Sequence, residues 1–152
     1  MVSDDRPLDG RTVVTTREMP GDLDRRLAAL EVLGMTDRIA EELDPTEFVP
    51  AVGQGCVAVE CRTDDEVAIA ALSGVNDPMT ARSVTLERAF LAELGSGCSL
   101  PVGAHHVGDV LWTFLAGAGG TIDRRSIPID GSATVDVARA AARAALESVG
   151  GW

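Results

Sequence analysis

The chain contains no lysine: all 13 basic residues among its 152 are arginine. Schiff-base chemistry and a Walker-type phosphate loop both need a primary amine, so both are excluded. Positive charge is also scarce, with 13 basic against 24 acidic residues and a net charge of −11. The summed field repels phosphate backbones and anionic headgroups, so neither nucleic acid nor a membrane is an expected partner. No run approaches the roughly 20 apolar residues of a membrane span. Met1 to Arg6 is polar and acidic, without a secretory apolar stretch, and a cytoplasmic location is expected. Cysteine is limited to Cys56, Cys61 and Cys98, an odd number that in a reducing compartment reads as thiols and not as a disulfide framework. Neither a Ser/His/Asp arrangement nor a dinucleotide fingerprint is legible.

What is present is globular. Hydrophobic residues make up 45% and charged residues 24%, enough at this length for one domain, or one small domain with a partial companion. Arg11 to Thr16 is a β-branched strand, followed by Pro20-Gly21 and a helical pattern with Leu23, Leu27 and Leu30 on one face. A second helix is expected over Thr36 to Leu43, and an extended segment over Phe48 to Pro50. Val52 to Arg62 is a glycine-rich approach to a short strand, and Thr63-Asp64-Asp65 caps a short helix. Asn76-Asp77-Pro78 opens a longer helix, with Val84, Phe90, Leu91 and Leu94 on one side and Gly95 at its end.

Three strand-like runs follow, Leu100 to Val107, Val110 to Ala116 and Thr121 to Ile129, separated by Gly108-Asp109 and Gly117 to Gly120. An alanine-rich helix over Ala133 to Val149 closes the chain, with Val137, Ala141, Ala144 and Leu146 available for packing. The pattern predicts an α+β fold: a small three-stranded antiparallel sheet with helices packed on one face, preceded by a reduced β-α segment. The division falls at residues 1–62 and 63–152, and the strand near Val57 is expected to pair with Val13 to Thr16.

Three places offer chemistry. Cys98, in Gly95-Ser-Gly-Cys-Ser-Leu-Pro-Val, lies between a helix end and a strand start, where it is either an accessible thiol or an incidental small apolar residue. Gly53-Gln54-Gly55 is either a ligand-contacting loop, its amide offering donor and acceptor, or a turn before a strand. Arg17, at the exit of the first strand, is either a carboxylate ligand or a solvated side chain. Cys56 and Cys61 on one strand face opposite ways, which disfavours a shared zinc. His105 and His106, adjacent on a strand, read as incidental surface or sheet-edge residues.

In ordered blocks the sequence resembles the carboxy-terminal portion of the hydroxymethylbilane synthases, also called porphobilinogen deaminases. The blocks are Leu33 to Ala40, Val49-Pro-Ala-Val-Gly-Gln-Gly55, Val59-Glu-Cys-Arg62, Glu87-Arg88-Ala-Phe-Leu91 and Gly97-Cys98-Ser-Leu-Pro-Val-Gly-Ala-His105. The resemblance implies a transferase of tetrapyrrole biosynthesis that polymerises porphobilinogen with release of ammonia. It also implies that Cys98, after Gly97, carries a covalent dipyrromethane cofactor through a thioether, a bond suited to a soft sulfur nucleophile. Gln54 and Arg17 would contact that cofactor, and porphobilinogen or a pyrrole oligomer would be the bound partner. The family's Ser-x-Lys-Asp segment with its catalytic aspartate, and its Arg-Arg and Arg-Gly-Asn blocks, find no counterpart, so the catalytic residue is unassigned.

Residues 6–30 also resemble the start of uroporphyrinogen-III synthase, which would make the chain a truncated or fused product. The competing expectation is a non-catalytic remnant or binding module, self-associated or complemented by a second chain. A polycarboxylate ligand also faces the net negative field unless arginines such as Arg17 and Arg62 counteract it.

Overall fold

The computed structural model describes residues 43–95, 101–131 and 135–151, together with the backbone of 11–16. The expected helices over residues 22–43 fall largely outside this set.

Two antiparallel sheets are present among the described residues. The smaller pairs β1 (Arg11–Thr16) with β2 (Val57–Arg62), in the register Val14 opposite Val59 and Thr16 opposite Val57. This is the pairing expected between the strand near Val57 and Val13 to Thr16. Cys61 lies on β2, whereas Cys56 precedes it in a turn, so the two cysteines do not share a strand as expected. α1 (Glu66–Ser73) follows, capped by Asp65, which accepts from the Ala68 N–H at 2.9 Å.

α2 (Pro78–Leu94) begins as its sequence dictates. Asp77 accepts from the Thr80 N–H at 2.7 Å, and Pro78 occupies a first-turn position where no N–H is needed. It ends at Gly95, whose φ of 67° is left-handed and open to glycine at little cost. Its buried residues are Leu86, Glu87, Ala89, Phe90 and Leu94. The expected stripe is thereby corrected: Val84 and Leu91 sit at its margin, and a carboxylate lies within it.

The larger sheet is a meander of β3 (Val102–Val107), β4 (Val110–Ala116) and β5 (Ile122–Pro128), in that spatial order. On β4, Leu111, Thr113 and Leu115 are buried while Trp112 and Phe114 are half-exposed, the period-two signature of a sheet covered on one face. α3 (Val135–Val149) covers that face together with α2. Its buried stripe is Ala138, Ala141, Ala142, Ala145 and Val149, with Val137 and Leu146 partly covered. Alanine at these positions lets the helix axis come close. At Gly117 a Cβ would lie 2.9 Å from Val149 Cβ and from its carbonyl oxygen. Phe90, Leu111, Leu115 and Ile129 fill the centre. The α+β architecture, with helices on one face, matches the sequence expectation.

An ion pair within β5 is also bonded to the helix that covers it. Arg125 donates to Asp123 at 2.8 and 2.7 Å and to the Ala144 carbonyl at 2.9 Å, tying β5 to α3. The Arg125 hydrogen bonds hold the Asp123 carboxyl below its usual range, against the opposing effect of burial.

Candidate functional site

Three sequence blocks that are far apart in the chain meet at the free edge of β3. In an antiparallel ladder an edge strand leaves alternate N–H groups pointing outward, and burying them requires acceptors. The Ala104 N–H finds the Pro50 carbonyl at 3.1 Å. The His106 N–H finds Glu87 Oε1 at 2.9 Å. Val49 and Pro50 approach closely because residue 103 is glycine: a Cβ there would stand 2.5 Å from the Val49 oxygen and 2.9 Å from the Pro50 oxygen.

The second carboxylate oxygen of Glu87 reaches across to the glycine-rich turn and accepts from the Gly53 N–H at 2.8 Å. Glu87 is only 5% exposed, so its two charge-assisted bonds to backbone are what make a buried carboxylate tolerable. His105 Nδ1 lies 3.9 Å from Glu87 Oε1. The turn is closed locally by Gln54, whose Oε1 accepts from the Ala51 N–H at 3.1 Å, and Gly53 and Gly55 adopt φ of 67° and 85°. The Gln54 oxygen is therefore spent on the turn, which leaves the amide nitrogen as the end suited to a ligand.

His106 lies on an edge strand, one of the two places expected of it, but it is not at the surface. It is buried, with Nδ1 2.8 Å from Ser83 Oγ and Nε2 without a hydrogen-bond partner among the described residues. Burial lowers its pKa below the usual 6.5, the nearby positive charges of Arg82 and His105 lower it further, and Asp109 opposes them. No group of three or more metal-ligating side chains occurs among the described residues.

Arg62 is also corrected. It donates to Asp64 at 2.8 and 2.6 Å, so its charge is already met within the chain. The same holds for Arg125 with Asp123, for Arg139 with Asp136 and for Arg143 with Glu93. On the open face of the sheet, a shallow cleft of about 250 Å³ is lined by Thr46, Glu47, Trp112 and Arg124 among others. The Arg124 guanidinium there lies 5.7 Å from the centre of the Phe114 ring.

Cys98, Gly97 and Arg17 lie outside the described residues. Their neighbours are described: residues 96–100 connect the left-handed Gly95 that ends α2 to Pro101 and β3. The segment bearing Cys98 thus joins the two elements that Glu87 ties together. Sequence reasoning quoted Glu87 only as part of a block and missed its role. Its legible signal was an acidic residue between Leu86 and Phe90, inside an apolar helix stripe.

The class defined by these features is a small α+β domain that brackets a glycine- and cysteine-bearing connection between a helix and an edge strand. Comparison with known proteins gives the family. Residues 26–70 match "Porphobilinogen deaminase, dipyromethane cofactor binding domain", and residues 81–144 match "Porphobilinogen deaminase, C-terminal domain". Over these residues the chain belongs to the porphobilinogen deaminase family. It is 47% identical to porphobilinogen deaminase of Mycobacterium leprae over 103 residues, covering 65% of this chain and 33% of that protein. It is 43% identical to that of a Roseiflexus species over 102 residues, covering 66% and 33%. The Mycobacterium tuberculosis protein is 44% identical over 103 residues, again at 65% and 33%. The chain spans about a third of the length of the curated relatives it matches.

Proposed function

We propose that this chain is the cofactor-carrying portion of a hydroxymethylbilane synthase-type transferase of tetrapyrrole biosynthesis, with Cys98 as the attachment residue for a dipyrromethane. The carrier unit runs over residues 63–152, and residues 1–62 supply the glycine-rich turn. The observation that carries this reading is the convergence of the family blocks Val49 to Gly55 and Glu87 to Leu91 on β3, the strand that follows the Cys98 segment in the chain, through the bonds of Ala104, His106 and Gly53.

The residues suit the cofactor in part. A thiol between a helix end and a strand start is a fitting tether, and the Gln54 amide nitrogen and Arg17 are the groups that would contact the attached pyrroles. The acidic side chains of such a group also need fixed positive charge. Arg62, Arg125, Arg139 and Arg143 are already matched by carboxylates of the chain itself. When bound, a dipyrromethane supplies a pyrrole terminus on which porphobilinogen units are added. What this chain contributes is the sulfur and the frame that holds it.

The absence of the family's lysine-aspartate segment from the sequence favours a second reading. The chain would carry the cofactor without turning over alone, and a second copy or a complementing chain would supply the remaining groups. Purified chain from a cell that makes porphobilinogen should show an added intact mass that is lost in Cys98→Ala. It should release little ammonia from added porphobilinogen. An unmodified wild-type mass contradicts the carrier reading, and sustained ammonia release contradicts the incomplete-enzyme reading.

A further inference from the structure

We propose that His106 is an acid-sensitive latch: protonation of its ring releases the glycine-rich block Val49 to Gly55 from the seam between α2 and β3, while the helix-covered meander stays folded. The inference goes beyond the carrier reading and does not depend on a bound cofactor.

Both nitrogens of an imidazole become donors when the ring is charged. At His106, Nδ1 lies 2.8 Å from Ser83 Oγ, whereas Nε2 is buried with no hydrogen-bond partner among the described residues. The neutral ring leaves one polar atom unmatched. The charged ring would bury a cationic N–H without an acceptor, which is the costlier state. The groups around the ring do little to offset that cost. Arg82 on α2, whose guanidinium donates to the Asp130 carbonyl at 2.7 Å, adds positive charge, as does His105 on β3. Asp109, in the turn after β3, is the opposing negative charge. The Glu87 oxygens accept from the His106 and Gly53 N–H groups and not from the ring. On β4 the residue opposite His106 is the neutral Leu111.

The position of the ring makes the response local. β3 is an edge strand, and the block Val49 to Gly55 is tied to it and to α2 by the Ala104–Pro50 and Gly53–Glu87 bonds. The core centred on Phe90, Leu111 and Leu115 rests on apolar burial, which pH does not alter. An opening confined to the seam frees the ring to take up a proton near the ordinary 6.5. The neutral ring therefore holds the seam fully above about 6.5, and the hold weakens as pH falls from there.

The test follows amide hydrogen exchange in the full chain at pH 7 and pH 5, each rate divided by the intrinsic chemical rate at that pH. Gly53, Ala104 and His106 report the seam, and Leu111 and Leu115 report the central strand. In wild type, seam protection should fall about fivefold or more from pH 7 to pH 5. Central-strand protection should hold within about twofold. His106→Gln should abolish the fall, and His105→Gln should retain it. Constant seam protection, an equal loss in the central strand, or a full response in His106→Gln overturns the latch. A response abolished by His105→Gln overturns it too, by making the neighbour the sensor. If His106→Gln does not fold, wild type and His105→Gln still decide through the other outcomes.

Discussion

The three-stranded unit and the two-stranded unit differ in what they bury. Around β3, β4 and β5, Phe90, Leu111 and Leu115 are fully enclosed and two helices share one covered face. In α1 no residue is buried, Val67 is 81% exposed, and Val57 on β2 is about half exposed. The first unit is held by its own apolar contacts. The second is joined to it at the Pro50–Ala104 and Gly53–Glu87 bonds, with Val52 packed against the core beside them.

Substitutions should break that contrast in graded steps. Phe90→Ala removes the central side chain of the packed unit and should cost about 3–5 kcal/mol in chemical denaturation, enough to unfold much of the chain. Gly103→Ala should cost about 1–3 kcal/mol, because the new Cβ meets the Val49 and Pro50 oxygens and not a movable side chain. If that variant keeps wild-type stability, the seam is looser than described.

A pH series probes the same edge. His106 has a depressed folded pKa and an ordinary unfolded value near 6.5, so the unfolded chain takes up the proton first. Its neutral form supports the fold fully above about 6.5, and stability is lost as pH falls from there through the folded value. The urea midpoint of wild type should therefore decline from pH 7 to pH 5 more steeply than that of His106→Gln. Equal slopes would remove His106 from the account.

The smallest effects sharpen the comparison through two similar caps. Asp77→Ala should lower global stability by about 1 kcal/mol, since α2 belongs to the core. Asp65→Ala removes an equivalent bond from α1 and should leave the global midpoint within about 0.5 kcal/mol.

Much of this arrangement was legible in the residues. The meander followed from three strand-like runs with glycine at each turn, and the limits of α2 followed from Asp77-Pro78 and Gly95. The pairing of β1 with β2 was expected from a β-branched run and the short strand near Val57. What local pattern could not show were contacts made across the fold. Glu87 and His106 look like surface residues by type, and only the exposed edge of β3, a tertiary fact, creates the demand that buries them. Gly103 has a similar explanation, since its missing Cβ answers to Val49 and Pro50 in a distant block. On α3 the expected Ala141 is buried and Val137 and Leu146 pack against the core, but Ala138, Ala142 and Ala145 were not singled out, because the many alanines of this helix give a weak apolar contrast.

The most direct test is to digest the chain purified from a porphobilinogen-producing cell and locate any pyrrole adduct by fragmentation. The adduct should lie on the peptide containing Cys98, with Cys56 and Cys61 unmodified. An adduct on either of those two, or on none of the three, would contradict the assignment of Cys98 as the tether.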